Sequence, residues 1–445
     1  LPIESSLNMF TKLTLLASCL ATVFGISNFP LLLIISFDGF RYNYFEKVPT
    51  PNFIRFRETG VYVREMKNVY VTQTFPNHFS IATGRYVEDH GVVGNTAYDP
   101  LLKKKLDFST PELFNYDESV MPLWSLNEMQ EGRHSGTMMW VGGEHAINKV
   151  SNTYAVKLDK NVSLNKRLDI ALGWFKDKDK PANVVFLYYE EPDSSGHWFG
   201  PDSKELKDKL MEADKFVEYL VDSVRKNGLS DSLNIILTTD HGMTNTEKQL
   251  IKIKDLKNEK MEFYGDSPLI EVKVKAEADI LEIYNLFKSN EEGKHYKTYL
   301  KKDFPDEYHF KNNRRVQDIL LRADYGYDFD VEGRLPGNHG YDNKQSEMHG
   351  FLMATGPAFK TNFTVTGDFI NLDIYPTACQ ILGLKPYPNN GTIRFEMLKE
   401  ETSNDLPLIL GILFGILAAV VLCIASVVGI KKWKSRQQQT VSLAD

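Results

Sequence analysis

Cysteine is almost absent from this chain. There are three, and Cys19 and Cys423 fall within apolar runs near the two ends, which leaves Cys379 alone between them. No intramolecular disulfide is then possible in the central region, and about 375 residues must be held together by a large buried core. A basic stripe is also missing, and the net charge is -7, so duplex nucleic acid is excluded as a natural partner. There is no internal repeat and no low-complexity tract. Charge is missing altogether from Leu406 to Ile430. As a helix this run would span about 37 Å, enough to cross a bilayer, and the "KKWKSR" that follows marks the cytoplasmic side.

The other end carries an apolar run at 13–24 after Lys12, which reads as a secretory signal peptide with Met9 as initiator. The expected organisation is a signal peptide at 9–27, an ectodomain at 28–395, an acidic linker at 396–405, a transmembrane helix at 406–430 and a cytoplasmic tail at 431–445. This is a single-pass type I plasma-membrane protein with its bulk outside. Asn161, Asn362 and Asn390 open N-glycosylation sequons in that outer part.

Four apolar runs of strand length lie between turn residues: "PLLLIISFDG" (30–39), "NVVFLYYEEPD" (183–193), "LNIILTTDHG" (233–242) and "HGFLMATGP" (349–357). Continuous hydrophobicity means burial on both faces, as in a parallel or mixed sheet between helices. Helical spacing recurs at 203–226 and 371–383. The fold class is therefore α/β, a central mixed sheet flanked by helices. Residues 85–160 pattern weakly and read as insertions over the active edge. Residues 245–345 hold a shorter strand and helix, "PLIEVKV" and "AEADILEIYNLF", and read as a side lobe.

Three of the strands end in acids, Asp38, Asp193 and Asp240, the last followed by His241. Ligands bind at the carboxyl ends of strands in open α/β sheets, so the three carboxylates share one site and need cations among them. His197, four residues after Asp193, is placed to share an ion with it through a glycine-containing turn, and His339 lies in the glycine-flanked "GNHGYDN". Six such N/O ligands divide into two sets of three, as a dinuclear zinc site would require. Thr74, in "VTQTFPNHFSIATG", sits at the mouth of a helix that Pro76 opens. On its own that segment suggests only a helix cap. Beside two metals the hydroxyl becomes a candidate nucleophile for in-line phosphoryl transfer, with Asn95 as a donor to a phosphate oxygen. His78 and His349, near these motifs, are expected to hydrogen-bond the ligands or their neighbours.

The motifs "SFDGFR", "TFPNH", "HGVVGN", "EEPDSSGHWFGP", "TTDHGM" and "GNHGYDN" resemble, in order and spacing, those of the ectonucleotide pyrophosphatase/phosphodiesterases of the alkaline phosphatase superfamily, over roughly 30–395. The resemblance is greatest to the short membrane-anchored members, four and five. It implies Thr74 as nucleophile, one zinc on Asp38, Asp240 and His241 close to Thr74, a second on Asp193, His197 and His339, and Asn95 on the phosphate. It also implies a base slot near Phe75, Trp140 and Tyr188, and extracellular nucleotides as substrates, split to nucleoside 5'-monophosphates. Leu158 falls where relatives place a stacking tyrosine, so that face is lost unless Tyr154 supplies it. The competing expectations are a choline-lipid phosphodiesterase of the same family and a catalytically weak surface receptor or adhesion protein. A sulfatase is excluded by the lack of a "CxPSR"-type motif.

Overall fold

The computed structural model describes residues 26–400 apart from position 332. Most of the expected signal peptide and the whole expected membrane span lie outside the described residues. Among those described, no helix is long and apolar enough to cross a membrane.

Eight strands form the central sheet: β1 (Leu31–Phe37), β2 (Val61–Met66), β3 (Ser135–Met138), β4 (Tyr154–Val156), β5 (Val184–Tyr189), β6 (Leu233–Thr238), β7 (Gly350–Thr355) and β8 (Phe363–Thr364). Their order is β8-β2-β7-β6-β1-β5-β3-β4. The five strands from β6 to β4 run parallel, and β7 runs antiparallel to both its neighbours. The sheet is thus mixed. β1 lies at its centre and every residue of it is buried, which is why LLLIISF shows no polar alternation.

Helices α1 (Thr74–Thr83), α2 (Asp193–Phe199), α3 (Lys204–Lys226) and α4 (Ile374–Leu382) matter most here. α3 buries Leu206, Leu210, Ala213, Phe216, Val217, Leu220 and Val224, and the Ser203 side chain caps it by accepting the N–H of Leu206. Its buried Asp214 accepts the backbone N–H groups of Asn52 and Phe53 at 2.9 and 3.0 Å, capping a second helix, Pro51–Glu58. The 371–383 pattern becomes a 3₁₀ turn, Asn371–Asp373, leading into α4.

Two features depart from the sequence reading. Residues 85–160 are more than insertions, because they supply β3 and β4. These strands have four and three residues, too few to show a period. The fold also continues past 395: Met397 is buried and Leu398 bridges to Phe359.

The lobe is an antiparallel sheet of Met261–Tyr264, Leu269–Val274, Ile319–Ala323 and Tyr296–Leu300, in that order. The helix Ile280–Asn290 covers it through Ile283 and Phe287, and its core includes Ile270, Val272 and Leu321. Cys379 is buried and unpaired in α4, and burial pushes its thiol up to about 12.

Candidate functional site

β6, β1 and β5 are neighbours, and their register aligns Ser36 with both Thr238 and Tyr188, so their carboxyl ends finish level. Asp38 follows β1 directly and Asp240 lies two residues beyond β6. Asp193 comes four residues after β5 and opens α2. His197 is one helical turn further on. The pair therefore shares a helix face, where the sequence suggested a glycine turn. Gly196 serves packing instead: a Cβ there would lie 2.9 Å from Met243 Cε. His339 enters from beyond the lobe, after the two-residue strand Gly337–Asn338, which pairs with Thr244–Asn245.

The six side chains form two groups, Asp38, Asp240 and His241, and Asp193, His197 and His339. Within each group the potential ligand atoms lie within 4.8 Å of one another. Three observations test whether they suit cations. Asp38 Oδ1, Asp193 Oδ1 and Asp240 Oδ2 are buried without a hydrogen-bond donor. Each histidine commits Nδ1 to a backbone carbonyl: His197 to Gly337 (2.9 Å), His241 to Gly242 (2.8 Å) and His339 to Thr72 (2.8 Å). That arrangement leaves each neutral ring with a lone pair on Nε2 facing the site. His241 Nε2 then faces Asp38 Oδ1 at 3.3 Å and Asp240 Oδ2 at 3.0 Å. Lone pairs at such distances repel unless positive charge lies between them, so the residues fit metal ions.

The protonation equilibria respond to the same crowding. Burial, then the Asp240 and Asp193 charges, drive Asp38 well above the ordinary carboxylate range. Burial also works to raise Asp240, but a proton on His241, which competes with a cation for the same oxygens, outweighs it together with His78 and holds that carboxyl well below. Burial and the neighbouring His241 and His197 push His339 down.

Thr74 is the first residue of α1, and the cap position before it falls to Gln73, whose side chain makes no capping bond. Thr74 Oγ1 lies 3.3 Å from His241 Nε2. One turn later His78 fixes the arrangement, bonding Thr74 O at 2.9 Å and Ser36 Oγ at 2.8 Å, with Asp240 Oδ2 at 3.2 Å. His349 pairs with Glu65 and bonds the Asn343 carbonyl. Asn95 Oδ1 accepts the Phe75 N–H at 2.9 Å, so the amide Nδ2 is its remaining polar group. Phe75 and Asn95 line a cavity of about 410 Å³ with His197 and His339, and Asp107, Phe108 and Leu335 are also on its wall.

The expected aromatic slot is only partly realised. Trp140 is 1% exposed, its ring against His78 and Phe186, and offers no open face. Tyr188 also points inward, and its hydroxyl donates to Asp38 Oδ2 at 2.5 Å. Leu158 is 49% exposed and does not line the cavity. Tyr154 stacks on Trp174 and donates its hydroxyl to the Lys180 carbonyl, so it is already engaged. Phe108, which the sequence did not single out, is the second aromatic residue of the cavity wall. Asn161, Asn362 and Asn390 are all exposed.

Residues 32–342 match the family model described as type I phosphodiesterase/nucleotide pyrophosphatase. Human bis(5'-adenosyl)-triphosphatase ENPP4 is 38% identical over 395 residues, 87% of this chain and 86% of that protein. Human ectonucleotide pyrophosphatase/phosphodiesterase family member 5 is 35% identical over 394 residues, 86% of this chain and 81% of that one. Among solved structures, murine ectonucleotide pyrophosphatase/phosphodiesterase 5, inactivated by a threonine-to-alanine change and in complex with AMP, matches with a TM-score of 0.78 at 34% identity, covering 83% of this chain and all of that one.

Proposed function

Because the chain belongs to the type I phosphodiesterase/nucleotide pyrophosphatase family, and is a hydrolase of that class, we propose that it cleaves extracellular nucleotides at the α-phosphate. Dinucleoside polyphosphates, NAD, ADP and ATP are its substrates, and a nucleoside 5'-monophosphate is the product. The observation that carries this reading is the Thr74 hydroxyl, at the start of a helix and 3.3 Å from one of six metal-type ligands in two sets of three. Two relatives support the substrate class, one named for its action on a dinucleoside triphosphate and one solved with AMP after loss of a threonine.

Two zinc ions are the proposed cofactors, one held by Asp38, Asp240 and His241 beside Thr74, the other by Asp193, His197 and His339. When bound, they supply the positive charge that eases ionisation of a hydroxyl and offsets the charge on phosphate oxygens. Thr74 Oγ bonds to the α-phosphorus, giving its proton to solvent, as the bond to the bridging oxygen breaks and the rest of the substrate departs. Water then cleaves the threonyl ester, restoring the hydroxyl and releasing the monophosphate. Asn95 Nδ2 donates to a phosphate oxygen, and the α1 N-terminus favours the negative charge. Phe75 supplies an aromatic face for the base, while Leu158 supplies none. The protein works at the plasma membrane, anchored through 406–430 and glycosylated at its three exposed sequons.

Hydrolysis of the nitrophenyl esters of thymidine monophosphate, phosphate and phosphocholine, with zinc present, tests this. The first should be turned over well and the others poorly. Preference for the phosphocholine ester would transfer the site to choline lipids, and no turnover of any would make the protein a binding module.

A further inference from the structure

The cavity of about 410 Å³ beside His197 and His339 carries two acids on its wall, Asp107 and Asp266, together with Phe75 and Phe108. A carboxylate opposes an anionic substrate unless some other part of that substrate needs an acceptor. Asp107 is built to be such an acceptor. Its Oδ1 accepts the Ser109 N–H at 2.9 Å, the Ser109 hydroxyl at 2.6 Å and the Thr110 hydroxyl at 3.1 Å, and Thr110 Oγ1 accepts the Asp107 N–H in return at 3.2 Å. All three donors fall on one oxygen, and Oδ2 has no hydrogen bond among the described residues. The Ser109 hydroxyl, against the opposing effect of burial, keeps this carboxyl below its ordinary range, and the Lys105 charge adds to that. Asp107 is therefore ionised at neutral pH, fixed in orientation and left with one oxygen to offer.

The next residue carries a ring. Phe108 is 62% exposed, and its backbone is tied to Phe75 through two intervening rings. Phe75 lies 6.3 Å from Phe114, Phe114 stacks on His145 at 5.5 Å, and His145 Nε2 donates to the Phe108 carbonyl at 2.9 Å. The turn that holds Asp107 is thus anchored to the residue that offers an aromatic face to the base. Phe108 stands where neither Leu158 nor Tyr154 can serve, since the one does not line the cavity and the other is engaged by Trp174 and Lys180.

We propose that Asp107 selects the base: with the ring between Phe75 and Phe108, its Oδ2 accepts a hydrogen from an exocyclic amino group, so that adenine is preferred to hypoxanthine. This deepens the nucleotide reading above and rests on it. The two bases differ at the 6-position, an amino group in one and a carbonyl oxygen in the other. The amino group donates to the carboxylate, whereas the carbonyl oxygen meets it lone pair to lone pair.

The test uses the full-length zinc-loaded protein and the 4-nitrophenyl esters of adenosine and inosine 5'-monophosphates. The wild type should favour the adenosine ester by about tenfold in kcat/KM, through KM and not kcat. Asp107→Asn keeps an oxygen for Ser109 and Thr110 but turns an N–H to the base, so the ratio should fall to about one or invert, with thermal unfolding unchanged. Binding of AMP against IMP to Thr74→Ala protein, measured by calorimetry, should show the same preference and lose it in Asp107→Asn. A wild-type ratio near one overturns the proposal, and so does a tenfold ratio that survives Asp107→Asn or falls instead with Asp266→Asn. Loss of 4-nitrophenylphosphocholine hydrolysis in Asp107→Asn, with the nucleotide ratio intact, would give the carboxylate to a cationic head group and overturn it too. No turnover of either nucleotide ester by the wild type would refute the nucleotide reading itself, and this inference with it.

Discussion

Replacing Tyr188 by Phe removes one oxygen atom from behind the metal-ligand set, and its consequence can be worked through. The hydroxyl donates to Asp38 Oδ2 at 2.5 Å from a buried position, leaving Oδ1, the oxygen without a donor, turned to the site. A hydrogen bond to a charged group contributes about 1.5–3 kcal/mol. Its loss frees the carboxylate to rotate and also makes it easier to protonate, since the Tyr188 bond opposes the rise that burial imposes on Asp38. A proton then competes with the ion. Changes to partners that orient ligands typically cost about 10- to 100-fold in metal affinity. Apo protein titrated with zinc against a chromophoric chelator should show two sites in the wild type. In Tyr188→Phe one site should be weakened at least tenfold, more so at lower pH, while the site of Asp193, His197 and His339 is unchanged. Equal weakening of both sites, or of neither, would refute the argument that Tyr188 acts through Asp38.

Thr74→Ala should abolish turnover yet keep zinc content and AMP binding, with Thr74→Ser partly active. Wild-type rates in the alanine variant would reassign the attack to water. Phe75→Ala, at the cavity wall, should raise KM for adenine substrates through loss of stacking worth about 1–3 kcal/mol and leave a base-free ester almost unaffected. An equal change in both would show that the position acts on something other than the base. In the lobe, burial lifts Glu271 to about 7 from 4.5, so between those values the folded chain holds a proton that the unfolded chain has lost. The stability this contributes is complete below about 4.5 and disappears as pH rises through 7. Glu271→Gln should accordingly gain on the wild type by up to about 3 kcal/mol between pH 5 and pH 8, measured by urea unfolding. The same difference at both pH values would disprove it.

The clustering of the six acidic and histidine side chains in two groups, with Thr74 beside one of them, was legible because its signals are local: an acid or an Asp-His pair at the end of an apolar run, and a threonine before a proline. Tyr188 was not, for a physical reason. β5 is buried on both sides, so alternation does not say which of Tyr188 and Tyr189 points towards Asp38. Nor did the four-residue step from Asp193 to His197 reveal a helix, because Gly196 weighs against one in propensity and only the nearness of Met243 explains it. Trp140 and Phe108 show the same limit in reverse. Being aromatic and near a motif does not decide which ring opens to the cavity and which is enclosed by Phe186.

His339 and His197 come within 3.1 Å of each other although 142 positions separate them, with the whole lobe between. An ion held there closes a very long chain loop, and the energy of binding becomes energy of folding. In a domain whose one thiol, Cys379, has no mate, an ion bound at this candidate centre would take the place of a covalent staple: a fastening that withstands reductants and yields to chelators, so that a reagent that removed it would loosen the architecture as well as the chemistry.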